Sequence, residues 1–279
     1  MKHILSLIMM VLYLLAAGHA TAQVDVRLHP ERSEFLLGEG VVVKLKITNH
    51  TDTALVLDNT PDRQWLHFTL TRSGSSQPLA PKAIPSFKKI VVNPGSAHEV
   101  RVNLRPYFYF NTVGSYKIVA TVRMPDMQST YSSNRASFTL VNGGSVKTFA
   151  IQSGGKRLKM NVKIMRAGDK DCLFGQVVNA DSGAVVGACY MGQYLNFMAP
   201  RVMMDRKQNL HVLCQSTPTY FTYSVMGPDG SRRSYQVLQR TGGPVDLITA
   251  GGTIKSIGLT PAKKTRPDDL PGIRTTADR

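Results

Sequence analysis

The string with the strongest look of a reacting centre is Ala180-Asp181-Ser182-Gly183-Ala184. Two carboxylates that share one proton can activate water, and an Asp-Ser-Gly loop is one way of presenting such a carboxylate. Only one copy is present, so Asp181 would need a second chain to complete the pair; the same residues also suit a hairpin turn. Asp169-Lys170-Asp171 alternates carboxylates but lacks the glycine and distal glutamate of a calcium loop, and reads as a turn. His29, His50, His67, His98 and His211 stand singly. His211 and Cys214, three apart on one strand, face opposite ways and form no nucleophile–base pair. No Gly-x-Ser-x-Gly, His-Glu-x-x-His or phosphate-loop motif occurs. The chain therefore reads as a non-enzyme without cofactor or metal.

Binding chemistry is better represented. Lys plus Arg number 34 against 18 Asp plus Glu, a formal charge of +16. In Arg157-Leu158-Lys159-Met160-Asn161-Val162-Lys163-Ile164 the apolar residues alternate with Arg157, Lys159 and Lys163, and Lys156 stands at the start. On a strand, same-face neighbours lie about 6.5–7 Å apart, so these cations form a row that concentrates a polyanion through its summed field. A solvated face that discourages edge pairing is the plainer reading of the same row. Tyr107-Phe108-Tyr109-Phe110 should send alternate members into the core and leave Tyr107 and Tyr109 to contact a sugar or protein. The expected partners are an acidic polysaccharide or an envelope protein, with nucleic acid an unsuitable purpose for an exported chain.

The elements that must hold these residues are strands. Val41, Val43, Leu45 and Ile47 alternate with polar neighbours, as do Leu66/Phe68/Leu70, Val100/Val102/Leu104 and Tyr116/Ile118/Ala120/Val122. Gly38, Asn49, Pro61, Gly74, Pro94-Gly95 and Gly114 punctuate them, a density of turns that predicts an antiparallel sandwich. The runs Leu37-Gly38-Glu39, Asn93-Pro94-Gly95 and Gly114-Ser115-Tyr116-Lys117-Ile118 resemble those of bacterial exported immunoglobulin-like domains, of the proteinase-inhibitor type and of accessory modules, over about residues 24–141. That resemblance implies an Ig-like sandwich at 23–141, and inhibition of a proteinase by an exposed loop as an alternative role. An aspartic-type peptidase using Asp181 is the other alternative. Gly114-x-Tyr116 also suits a tyrosine corner, whose hydroxyl bonds back to the backbone.

Asn142-Gly143-Gly144-Ser145 reads as a linker, residues 146–259 as a second β-sandwich or hairpin-rich domain, and 260–279 as a disordered basic tail. Residues 1–22 have the form of a signal peptide: Lys2, an apolar Ile4–Ala17 and Ala20-Thr21-Ala22 before Gln23. No further hydrophobic segment follows, so the expected destination is the periplasm or the extracellular space. Oxidising conditions there allow a disulfide, and Cys172 and Cys189, flanking the turn at Asn179–Gly183, are the pair favoured by proximity. Three buried thiols, with Cys214, are the alternative.

Overall fold

The computed structural model describes residues 23–60, 64–83, 85–124 and 129–262; residues 1–22, expected to be a signal peptide, and 263–279, expected to be part of a tail, lie outside them. All regular structure among these residues is β. The first half contains β1 (Val24–Pro30), β2 (Glu34–Leu36), β3 (Val42–Asn49), β4 (Leu55–Leu57), β5 (Leu66–Arg72), β6 (Ile90–Val92), β7 (Ala97–Asn103), β8 (Gly114–Arg123), β9 (Thr130–Ser132) and β10 (Ala136–Val141). One sheet runs β1-β3-β7 and its partner β2-β10-β8-β5, with β9 on the far end of β8 and a separate β4–β6 ribbon. Pairing is antiparallel except for β2, which runs parallel to β10. The period-two residues meet between the sheets: Leu28 faces Leu45 in register, and Phe68, Leu70, Ile118 and Ala120 close the core from the other side. Each Leu or Ile side chain removed fully from water contributes about 1.5–3 kcal/mol.

Two polar devices shape this core. Asn49 is wholly buried and donates to Thr53 O at 2.7 Å and Val92 O at 3.0 Å, pinning the ribbon to β3. Tyr116 is 1% exposed, stacks on Phe138, and donates from its hydroxyl to Thr112 O at 2.7 Å. The tyrosine corner expected at Gly114-x-Tyr116 is therefore present.

The second half contains β11 (Gly144–Ser153), β12 (Lys156–Ala167), β13 (Lys170–Asn179), β14 (Val185–Gln193), β15 (Arg201–Met204), β16 (Leu210–Gln215), β17 (Tyr220–Met226), β18 (Arg232–Arg240), β19 (Asp246–Ala250), β20 (Thr253–Ile257) and β21 (Leu259–Pro261). The sheets β11-β12-β13-β14 and β15-β16-β17-β18-β21 enclose Met160, Val162, Leu173, Met191, Val212 and Met226. The β19–β20 hairpin forms a third layer over Leu213, Phe221 and Leu238. That layer explains why every residue of β16 is buried, whereas a two-layer sandwich would leave alternate positions wet. Two boundaries differ from the sequence reading. Only Asn142 and Gly143 separate β10 from β11, because Gly144 and Ser145 already pair with Ile164 and Lys163. Thr260 and Pro261 pair with Gln239 and Leu238, so the strand series runs past Leu259 into what was assigned to the tail.

The halves share a packed junction. Leu36 enters a cluster with Met165, Cys172, Phe174 and Ala188. Gln176 donates to Leu37 O at 2.8 Å and Ala188 N to Gly38 O at 2.9 Å. Beside them the Arg32 guanidinium sits 4.6 Å from the Phe35 ring centroid and 5.7 Å from that of Phe174, ion-paired with Glu39. Burial raises the Glu39 carboxyl above its ordinary range; Arg32 and the Leu36 amide pull it back in part.

Candidate anion-binding groove

The outward faces of β5 and β8 carry a different chemistry from their inward ones. Inward stand Phe68, Leu70, Tyr116, Ile118 and Ala120; outward stand Thr69, Thr71, Lys117 and Val119. The chain then leaves β5 through Arg72-Ser73-Gly74-Ser75-Ser76. Ser75 N donates to Arg72 O at 3.0 Å, and Gly74 takes φ +87°, a left-handed turn that glycine adopts without strain. The turn rises beside the hydroxyl face, and the two enclose a concavity of ≈ 310 Å³, with Arg135 on its rim.

Each cation in the groove is held by its backbone neighbours. Arg72 donates from Nη2 to Val113 O at 3.2 Å and lies along Gly114. Lys117 projects from mid-β8, fixed by pairing with Thr71 on β5 and Ser137 on β10. Arg135 follows two tethered residues. Ser133 accepts from Ala120 N at 2.9 Å, and Asn134 exchanges hydrogen bonds with Leu28 N and O at 2.8 and 3.0 Å. Among the described residues no carboxylate lies within ion-pair distance of Arg72, Lys117 or Arg135, and none lines the groove. Three unpaired cations with hydroxyls from Thr69, Thr71, Ser73, Ser75 and Ser76 can receive an oxyanion and hydrogen-bond the polar atoms around it. Alternation on β5 and β8 was visible in the sequence, but it was used to find the core. The same pattern read for its outward residues would have picked out Thr69, Thr71 and Lys117.

The residues singled out from sequence are distributed otherwise. Arg157 donates to Asp181 Oδ1, so one member of the basic row is ion-paired. Lys156 and Lys159 are exposed; Lys163 is only half-buried, opposite Phe174 where the halves meet. Asn161 interrupts the row and bonds Thr148. The continuous cationic row expected on β12 is thus broken, because half of that face is covered at the junction. Asp181 lies in the β13–β14 turn, where Asn179 Oδ1 accepts from the Asp181 and Ser182 amides, both at 2.9 Å. No second carboxylate is ion-paired or hydrogen-bonded to Asp181 among the described residues. Phe108 and Phe110 enter the core as expected; Tyr107 packs on Phe87, and Tyr109 is 57% exposed with Lys82 Nζ 5.3 Å from its ring centroid.

The expected Cys172–Cys189 bridge does not form: all three thiols are free. In register Cys172 pairs with Gln193 and Cys189 with Gly175. Cys172 joins the cluster under the first half, while Cys189 points to the opposite side of the sheet, toward Met191. Flanking a turn brought the strands together but left the side chains on different faces. Burial pushes the Cys172 thiol up to about 11, and the Cys189 and Cys214 thiols up to about 12. Such groups stay protonated and make poor nucleophiles.

A second polar cluster lies in the other half. His211 Nδ1 is 2.6 Å from the Tyr223 hydroxyl and its Nε2 is 3.1 Å from Asp205 Oδ2; Asp205 also accepts from Asn209 N and Nδ2, both at 2.8 Å. Its members are mutually satisfied and sit between β16 and the third layer, a bracing role rather than a reactive one.

No family model matches the chain, and no curated protein does. Among solved structures it is similar to the YadV chaperone, with 12% identity, 77% of this chain and 100% of that one covered, and a TM-score of 0.26. It is also similar to the E. coli chaperone DraB, with 9% identity, 76% and 96% covered, and a TM-score of 0.26.

Proposed function

We propose that this chain is an exported, non-catalytic binding protein that recognises an oxyanion-bearing glycan through the groove formed by Arg72, Lys117 and Arg135. The observation that carries the reading is the composition of that groove: three cations and five hydroxyls in ≈ 310 Å³, with no carboxylate among the lining residues. Multiple hydroxyl donors around fixed cations suit a sulfated or carboxylated sugar, whose charge and ring hydroxyls both find partners. The partner class is the acidic polymer expected from the net charge, but the site moves from β12 to β5 and β8. We read the first half as an Ig-like sandwich, supported by its two facing sheets, the parallel β2–β10 pair and the Tyr116 corner. Export rests on the form of residues 1–22.

The test is retention on an immobilised sulfated oligosaccharide and on its desulfated counterpart. The chain should bind the first, and elute at moderate salt because exposed charges are screened over about 8 Å at physiological ionic strength. Changing Arg72, Lys117 and Arg135 together to glutamine should remove retention, while changing Lys156, Arg157, Lys159 and Lys163 to glutamine should leave most of it. Equal retention of the groove variant and the unaltered chain would overturn the assignment.

A further inference from the structure

β11 is a ten-residue strand at the end of its sheet, and its residues are mostly exposed. It reaches β12 through Gly154-Gly155, with φ +56° and +72°, a two-residue hairpin of the I′ form. Such a turn makes Ser153 and Lys156 a hydrogen-bonded pair, and the antiparallel ladder alternates from there. Ile151, Phe149 and Lys147 therefore spend their backbone groups on β12. Thr148, Ala150 and Gln152 present their N–H and C=O groups to the open edge. Among the described residues no backbone hydrogen bond joins β11 to anything but β12.

Three other edge strands are interrupted. Asn134 occupies the backbone of Leu28 on β1, Gly38 O takes Ala188 N on β14, and β5 is bridged by Pro78 and Leu79. On β11 the lysine that would ordinarily guard an edge is turned away: Lys147 Nζ donates to Val202 O at 3.3 Å and lies 5.1 Å from the Phe149 ring centroid. The pairing-competent stretch ends at the irregularity between Ser145 and Lys147, leaving 147–153 in uninterrupted register.

We infer that the open edge of β11 accepts an extended acidic segment of a partner protein as a fifth strand. Backbone pairing with Thr148, Ala150 and Gln152 would supply the affinity, about 4.8 Å from β11, as in other cases of strand addition. Charge selects the occupant. On the outward face Lys159 stands opposite the small Ala150, and Arg157, which is ion-paired with Asp181, stands opposite Gln152; Lys156 opposite Ser153 falls on the other face. An incoming strand with acidic residues on that face and apolar residues on the other would meet these cations and cover half-buried Phe149. A second copy is disfavoured, since each chain carries a formal +16.

The test measures binding of the full chain to a short labelled peptide alternating glutamate and valine. Its comparison probes are a lysine–valine peptide and a glutamate–valine peptide N-methylated at alternate residues. The glutamate peptide should bind, and both others should bind at least about tenfold more weakly. Ala150→Pro removes only an edge-facing N–H and should weaken binding about tenfold, with an unchanged far-ultraviolet spectrum. Lys159→Glu should reverse the charge preference. Equal binding of the N-methylated peptide, or by a folded Ala150→Pro chain, would overturn the inference; the methylated probe decides the matter should Ala150→Pro fail to fold. Sedimentation showing a dimer of the chain alone, abolished by Ala150→Pro, would overturn the choice of occupant. Substituting Arg72, Lys117 and Arg135 should leave peptide binding intact, which separates this surface from the glycan reading.

Discussion

Arg157 donates from Nε to Asp181 Oδ1 at 2.9 Å, so the first cation of the β12 row and the carboxylate of the Asp-Ser-Gly loop satisfy one another. The sequence placed them 24 residues apart under two different hypotheses, one of polyanion binding and one of hydrolysis. The β13–β14 hairpin brings them side by side, and each weakens the other's candidacy. Asp181 raises the pKa of Arg157 further through its hydrogen bond and charge. The pair is exposed, so it fixes little of the fold.

Asp181→Asn should accordingly leave the thermal midpoint where it is. Neither protein should cleave a denatured substrate at acid pH, and release of Arg157 should move elution from a sulfated matrix to slightly higher salt. Proteolysis by the unaltered chain that disappears in Asp181→Asn would restore the hydrolytic reading.

Gly38→Ala should loosen the contact between the halves. Gly38 has φ +90°, and a Cβ there would fall inside the van der Waals envelope of Val185 Cγ1. Left-handed backbone in an L-residue costs about 1–2 kcal/mol and overpacking about 1–3 kcal/mol. A loss of about 2–5 kcal/mol is expected, read as a lower urea midpoint, with faster amide exchange at Ala188, whose N–H is bonded to Gly38 O. An unchanged midpoint would show that the junction contributes nothing to stability.

Alternation on β3, β5 and β8 made their buried faces legible, because one wet face leaves a period of two. β13 and β16 defeated that reading for a shared reason. From Cys172 to Val177 and from Leu210 to Gln215 every residue is buried, since the first half covers one strand and the β19–β20 hairpin the other. A strand wet on neither side has no period to read. Disulfide geometry failed for a related reason: proximity in sequence carries no information about which face a side chain takes once a register shift intervenes, as it does between Val177 and Val178. The groove was missed because hydroxyls and a lysine on a wet face look like ordinary solvation until the Ser-rich turn beside them is placed.

Thiol chemistry should follow burial. At pH 8 an aromatic disulfide reagent should titrate no thiol in the folded chain and all three after unfolding, and mobility on a gel should not depend on reductant. The thiols titrate near 9.0 when unfolded and at about 11 to 12 when folded, so the native state holds protons that the unfolded state has released. Their contribution is complete below about pH 9 and is lost as pH rises through 11 to 12; buried Tyr190 and Tyr235, also raised, act in the same direction. The urea midpoint should fall between pH 8 and pH 11, and fall less in a chain with all three cysteines changed to alanine.

Asp205 offers the opposite sign. Its burial alone would raise the carboxyl, but the Asn209 side-chain and backbone donors, with His211, hold it below the ordinary 3.8. The native state therefore releases a proton that the unfolded chain still binds. The stabilisation is present above about pH 4 and is lost as pH falls through the folded value. Asp205→Ala removes the acceptor for Asn209 N, Asn209 Nδ2 and His211 Nε2. At pH 7 it should cost about 2–3 kcal/mol in urea unfolding, and the gap from the unaltered chain should narrow at pH 3. His211 also meets the Tyr223 hydroxyl, which donates to Ile254 O at 3.5 Å, so the network reaches the third layer. Amide exchange in β19–β20 should quicken in Asp205→Ala while β11–β14 stays protected. Uniform quickening across both sheets would mean that the cluster supports the whole half rather than bracing the hairpin.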